Sequence, residues 1–315
     1  MSNIISLLLP KPFQMKSYLV AFALFVSCLV LIPEAKAQLA VSMQLDRQSY
    51  ILYEHVFAKV TFRNYSGRGL IFGKNKGLKG RINFKIIGPD GRQLSPNRRF
   101  DASALLDGVV LNPGATSTVV VPLSEMYNLF KAGQYTVRAI ISHPMLPTSY
   151  ISDRKTSQNG FSIFNGIPVW HREVGVPDVL NVNSKEKVKK RMVKILNFYD
   201  NNRKYYALMI EDPRVIYGVI RIAEDLEDEL PQIQVDGLSR IHIFVQISAK
   251  VYSYFIYDLN CRLEEFAHYT LSPDGGAPVL VRDPKEGSVM VVGGKKAVMG
   301  KDFIKENPNP VFSQD

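Results

Sequence analysis

From residue 39 onward apolar and polar side chains alternate in short runs separated by turn-forming residues, the two-residue period of half-buried β-strands. Val41, Met43 and Leu45 share one face of the first run. Val56, Ala58, Val60 and Phe62 alternate with His55, Phe57, Lys59, Thr61 and Arg63 in the next, which stops at Asn64-Tyr65-Ser66-Gly67. Ile82, Phe84 and Ile86 repeat the pattern before a hairpin signal at Pro89-Asp90-Gly91. Two further runs flank Asn112-Pro113-Gly114, and Tyr135, Val137, Ala139 and Ile141 occupy one face of a long run. A last short run covers 161–164. About seven short strands with frequent turns predict a β-sandwich over 38–166.

The pattern changes at 167. Pro168, Pro177 and nearby glycines predict an extended linker carrying Trp170, the sole tryptophan, beside His171. Val188, Met192, Ile195, Leu196 and Tyr199 then fall at helical spacing behind Ser184, a candidate N-cap. The opposite face would carry Lys185, Lys187, Lys189, Lys190, Arg191 and Lys194, so a basic amphipathic helix is expected within 167–203. Period-two runs return over 204–304 and predict a smaller antiparallel β-meander. Residues 215–226 fit a strand or a helix, and their β-branched and aromatic content favours a strand. Residues 305–315 read as a tail. The fold class expected is mainly β: a sandwich, a short helix and a meander.

The order Tyr50…Glu54-His55-Val56…Val60-Thr61-Phe62…Asn64, then Leu111-Asn112-Pro113-Gly114, then Tyr127…Leu129…Ala132-Gly133-Gln134-Tyr135-Thr136-Val137 resembles bacterial immunoglobulin-like domains. Macroglobulin-type and protease-associated sandwiches are similar in the same way. The resemblance covers about 125 residues of 39–166 and implies a spacer or binding module, without paired cysteines. It also raises an accessory or inhibitor-like role beside a protease. Farther on, Pro231-Gln232-Ile233-Gln234-Val235-Asp236 and Pro278-Val279-Leu280-Val281-Arg282-Asp283 share the form P-x-[IL]-x-x-D, 47 positions apart. This pair is similar to propeller-type β repeats, with Asp236 and Asp283 expected to cap turns through backbone amides.

The N-terminus has the order of an export signal. Lys11 and Lys16 precede fifteen uncharged, mostly apolar residues at 18–32, and Ala35-Lys36-Ala37 supplies small residues for cleavage. A membrane span needs about 20 apolar residues, so cleavage is preferred to a retained anchor through 18–32. Cys28 is a third possibility, as a lipid-attachment cysteine. Removal of 1–37 leaves 278 residues starting at Gln38, and a secreted or periplasmic location follows. Loss of Lys11, Lys16, Lys36 and Glu34 lowers the formal charge from +10 to +8, and Cys261 is then the single cysteine, without an internal partner.

Candidate chemistry is sparse. His55, His143, His171, His242 and His268 are isolated in sequence, and no zinc, calcium, nucleophile-elbow or phosphate-loop spacing is present. No catalytic, cofactor-binding or metal residue is singled out. Cys261 and His268 belong to one predicted hairpin, where Cys261 reads more naturally as a turn residue. Lys74, Lys76, Lys79 and Arg81 among glycines suggest a solvated loop or an anion-binding one. Asp225, Glu227, Asp228 and Glu229 read as a solvated or lysine-paired run. The interaction candidates are Trp170, His171, Lys187, Lys190, Arg191 and Lys194.

The expectation is an exported binding or structural protein whose partner is another protein or a cell-envelope component. Nucleic acid is not expected, and a membrane enters only through a retained 18–32 segment or a lipidated Cys28. A hydrolase with a site of dispersed residues remains the alternative from another class.

Overall fold

The computed structural model describes residues 38–74, 77, 79–97, 100–146, 149–151, 160–176, 189–200, 202–226, 230–298 and 300–302. The signal segment 1–37 with Cys28, the tail 305–315, and Lys185 and Lys187 of the expected helix lie outside these residues. Leu39–Asp315 forms one compact unit. It is mainly β, and its sheets are small and, apart from one parallel pairing, antiparallel.

The first sheets arise where period two is clearest. β1 (Leu39–Leu45), β2 (Ser49–Ile51), β3 (Phe57–Asn64), β4 (Leu70–Ile71), β5 (Arg81–Ile87), β6 (Val110–Leu111) and β7 (Thr116–Pro122) follow in order. A single helical turn, α1 (Leu123–Met126), leads to β8 (Gly133–Ser142), β9 (Tyr150–Ile151) and β10 (Gly160–Phe164). One sheet has the order β1-β3-β7 and another β2-β10-β8-β5, with β2 running parallel to β10. Burial along β1 alternates strictly, and Val41, Met43, Val60, Phe62, Phe84, Val137 and Ile141 enter one apolar cluster contributed by both sheets. Each such side chain contributes about 1.5–3 kcal/mol by leaving water. Tyr135 stacks on Phe161 with centroids 5.0 Å apart, and its hydroxyl donates to the Lys131 carbonyl at 2.7 Å, so a buried ring keeps its polar end satisfied. Asn64 is fully buried and donates its amide to the carbonyls of Arg68 and Leu111, which fixes the turn after β3.

The remaining strands are β11 (Ile167–Gly175), β12 (Lys190–Asp200), β13 (Arg203–Glu211), β14 (Ile216–Glu224), β15 (Gln232–Val235), β16 (Ile241–Ser248), β17 (Val251–Tyr257), β18 (Leu263–Thr270), β19 (Val279–Arg282), β20 (Val289–Val292) and β21 (Lys295–Lys296). β11-β12-β13-β14 is an antiparallel meander, β15-β16-β17-β18-β21 a second sheet, and β19-β20 a hairpin. Val193, Ile195, Leu208 and Ile210 of the first meander meet Ile241, Ile243 and Phe255 of the second sheet. Leu196, Phe198, Ala207 and Met209, on the other face of that meander, meet Ile51 of β2. Phe244, Tyr252 and Tyr254 meet Leu280 of the hairpin. Small sheets thus lie face to face in chain order, as propeller blades do.

Two expectations are corrected here. The linker over 167–175 is the edge strand β11, with Pro168 at a bulge between Pro168 and Trp170 where its missing N–H is tolerated. The expected helix is the strand β12 from Lys190 onward, paired with β11 and β13. The reason is burial on both faces. Val193 and Ile195 enter one core and Leu196 and Phe198 the other, so alternation disappears and the apolar run imitates helical spacing. Residues 216–224 are strand, as their composition favours.

Candidate functional site

Short aspartate turns shape much of this fold. Asp212 accepts from the amides of Arg214 and Val215, Asp258 from those of Asn260 and Arg262, and Asp283 from those of Lys285 and Glu286. Asp236 does the same for Leu238 and Arg240. A short carboxylate two to four residues ahead of free amides is the chemistry such turns need. The Asp236–Arg240 and Asp258–Arg262 turns match further, since Ser239 and Cys261 both adopt φ near +60° (63° and 64°) at the same place. The two P-x-[IL]-x-x-D segments lie side by side: Gln232 accepts from the Leu280 amide at 2.7 Å and Arg282 donates to the Val235 carbonyl at 3.0 Å.

The Asp212 turn forms one wall of a cleft of about 740 Å³. Tyr217 donates to Asp212 at 2.6 Å, and that bond, with the turn amides, holds the Asp212 carboxyl below its ordinary range. Arg191 lies 3.4 Å over the Tyr217 ring and donates to the Leu259 carbonyl, which ties the turn to the second sheet. The other wall comes from the loop after β2 and the segment after α1. Tyr53, at φ 70°, and Phe130 present their rings there, 37% and 56% exposed with centroids 5.6 Å apart. Arg214 and Val215 project from the turn opposite.

A buried ionic cluster lies beside the cleft and shares Glu54 with it. Arg221 on β14 pairs with Asp200 at 2.8 Å and approaches Glu54 at 3.7 Å. It donates to the Ser49 carbonyl at 3.1 Å and lies over Phe198 and Tyr205 at 4.7 and 4.8 Å. Glu54 also pairs with Arg47 and accepts from the Ile51 amide at 3.0 Å. A buried charge is tolerated when paired and hydrogen-bonded in this way. Gly166, between β10 and β11, completes the junction: a Cβ there would stand 2.7 Å from Ile51 and 2.9 Å from Leu196.

Most polar groups around the cleft are thereby committed. Glu211 pairs with Lys194, Asp212 serves its turn, Glu54 serves the cluster, and Ser124 accepts from the Val56 amide at 3.2 Å. His55 Nδ1 lies 3.5 Å from Ser124 Oγ, longer than the contact a base makes with a nucleophile it activates. What the cleft offers a ligand is an aromatic pair, aliphatic side chains and the guanidinium of Arg214.

The sequence candidates are dispersed. Trp170 is half-buried against the core between the two later sheets. His171 is exposed on the edge strand β11. Lys190 pairs with Glu173 at 2.6 Å, Arg191 stacks on Tyr217, and Lys194 pairs with Glu211, so they form no common basic face. Cys261 fills its turn with its Cβ against Gly218, and burial pushes its thiol up to about 12. His268 lies opposite Ser253, whose hydroxyl meets its Nδ1 at 3.0 Å, at the other end of the hairpin from Cys261. Asp225 is paired with Lys204 at 2.8 Å, and 227–229 lie outside the described residues. Lys79 and Arg81 line a shallow pocket of about 360 Å³ with His143, Arg81 pairing with Asp101 at 3.4 Å; Lys74 is exposed, and Lys76 lies outside the described residues.

Tyr53, Phe130, Arg214 and Arg221 were not singled out by sequence. Tyr53 and Phe130 sit next to buried neighbours in turn-rich stretches, where alternation gives no sign of which ring faces water.

Among the described residues no helix is long and apolar enough to cross a membrane, and no group of three or more His, Cys, Asp or Glu is placed to hold a metal ion. No protein-family profile, curated protein or solved structure shows significant similarity to the chain.

Proposed function

We propose that this is an exported binding or structural protein, without catalytic activity of its own, in which an immunoglobulin-like module over 39–166 is fused to blade-like sheets and a ligand is held in the cleft between them. Three features support the module. The strand orders are β1-β3-β7 and β2-β10-β8-β5, the early strand β2 runs parallel to the last strand β10, and Tyr135 bonds back to the Lys131 carbonyl. The observation that carries the binding reading is the exposed Tyr53–Phe130 pair facing Arg214, in a cleft whose carboxylates are already held by structural partners. Rigid aromatic side chains supply large contact area at low entropy cost, and a fixed cleft avoids ordering costs on binding. Export follows from the order of basic, apolar and small residues in 1–37.

The test is a pull-down from cell-envelope extract with the chain starting at Gln38, compared with its Tyr53→Ala/Phe130→Ala form. A partner retained by the parent and lost from the double variant supports the reading. A partner retained equally by both overturns the cleft as the site. Hydrolysis of an ester or peptide substrate that disappears in Ser124→Ala would instead favour a hydrolase built on His55 and Ser124.

A further inference from the structure

The shallow pocket of about 360 Å³ shares no residue with the cleft and sits where β5 begins and β8 ends. Gly77, Lys79, Arg81, Ser142, His143 and Pro144 line it. The chain beneath it is closely fixed. Gly80 donates its amide to the Ile71 carbonyl at 2.7 Å, and a Cβ there would stand 2.5 Å from the Phe72 ring and 2.7 Å from His143. His143 is held at both ring nitrogens, by the Ile71 carbonyl and the Met145 amide.

Lys79 and Arg81 flank this pinned glycine, and side chains two positions apart on extended chain project to one side. Arg81 is also paired across the sheet with Ser142, while the next pair, Ile82 and Ile141, enters the core. Arg81 and Ser142 therefore share the outer face, with Cβ atoms about 4.5–5.5 Å apart. An ammonium, a guanidinium and a hydroxyl are thus gathered at one end of the sheet.

Two cationic side chains and no carboxylate line the pocket. Asp101 meets Arg81 at 3.4 Å, but it also accepts from the Ser103 amide at 2.9 Å, and the two paired side chains are 40% and 33% exposed. A charge-assisted N–H···O bond is about 2.7–2.9 Å, so this longer contact leaves the guanidinium donors largely unspent. The Arg81 Nε is buried without an acceptor. Asp107 accepts from the Lys74 amide at 2.7 Å, and Lys79 makes no ion pair with it or with any other carboxylate among the described residues.

We propose that this pocket binds a phosphoryl group through Lys79, Arg81 and the Ser142 hydroxyl. A phosphate monoester brings a charge of about −1.5 to −2 and three strong acceptor oxygens, which matches two cations and a third donor. A carboxylate brings one charge and two oxygens. The group is free phosphate or the phosphate of a larger molecule, and both present the same oxygens. The proposal is independent of what the cleft binds.

The experiment follows the His143 ring proton signals of the chain starting at Gln38 by NMR, assigned by their loss in His143→Gln. Inorganic phosphate, phenyl phosphate and acetate are titrated separately at pH 7.5, with sodium chloride holding ionic strength constant. Phosphate is expected to move the signal saturably and acetate to do so about tenfold less effectively. Lys79→Gln and Arg81→Gln are each expected to raise the half-saturating phosphate concentration about tenfold. Lys250→Gln, which removes the same charge from an exposed turn, should titrate like the parent. Lys79 has no ion pair to lose, so its variant, with an unchanged unfolding midpoint, carries the test even where Arg81→Gln disturbs the fold. A shift that does not saturate, acetate as effective as phosphate, or Lys79→Gln titrating like the parent would overturn the proposal. Tighter binding of phenyl phosphate than of inorganic phosphate would assign the site to an esterified phosphate, and the reverse to the free anion.

Discussion

The guanidinium of Arg221 donates to the main-chain oxygen of Ser49, 172 positions earlier, while its other edge pairs with Asp200. This single side chain spans the junction between the first sheets and the meander that follows, under cover of Phe198 and Tyr205. Removing one partner of a buried ion pair strands the others without water, at about 3–5 kcal/mol. Arg221→Ala is therefore expected to lower the stability of the whole unit by that amount in urea unfolding. A loss under about 1 kcal/mol would mean that the cluster is solvated and the junction is held by apolar contact alone.

Gly218 and Cys261 form a second close approach between sheets. A Cβ at Gly218 would stand 2.6 Å from the Cys261 Cβ, and both backbones are anchored in hairpins. Gly218→Ala is expected to cost about 1–3 kcal/mol by overpacking. The Cys261→Ser/Gly218→Ala pair should recover little, because the clash is with a Cβ that serine keeps. The Cys261 thiol, pushed up to about 12 by burial, should react with a disulfide reagent at pH 8 only after unfolding. Rapid labelling of the native protein would contradict its burial.

His143 links stability to pH. Its Nδ1 accepts from the Met145 amide at 3.1 Å, so Nε2 carries the proton and donates to the Ile71 carbonyl. Burial lowers its pKa below the ordinary 6.5. The folded form therefore binds protons less readily than the unfolded form: its contribution is present above pH 6.5 and is lost as pH falls through the depressed folded value. Denaturant midpoints measured from pH 7.5 down to 5 should fall, and His143→Gln should flatten that fall. An equal pH slope in both proteins would remove His143 as its source.

How much of this was legible in the sequence depends on the number of faces a strand buries. β1, β3, β5 and β8 bury one face each, and their alternation reads directly from Val41–Met43–Leu45 or Tyr135–Val137–Ala139–Ile141. β12 buries two, and its apolar run reads as a helix. The turn roles of Asp236 and Asp283 were legible because a short carboxylate at a strand end, followed by Gly237 or Pro284, has few other uses. The cleft was not, because its walls come from residues about 80 and 160 positions apart that no local pattern relates. Arg221 was hidden for a simpler reason: an arginine inside an apolar strand looks like a solvent-facing residue until its partners are in place.

The most direct test of the binding account is photo-crosslinking from the cleft wall opposite the aromatic pair. Val215→p-benzoylphenylalanine, placed in the exported chain and irradiated in the cells that produce it, is predicted to yield a discrete adduct. The same protein carrying Tyr53→Ala/Phe130→Ala should yield far less. An adduct of undiminished intensity in the double variant, or none in either protein, would contradict the assignment of the cleft as the binding site.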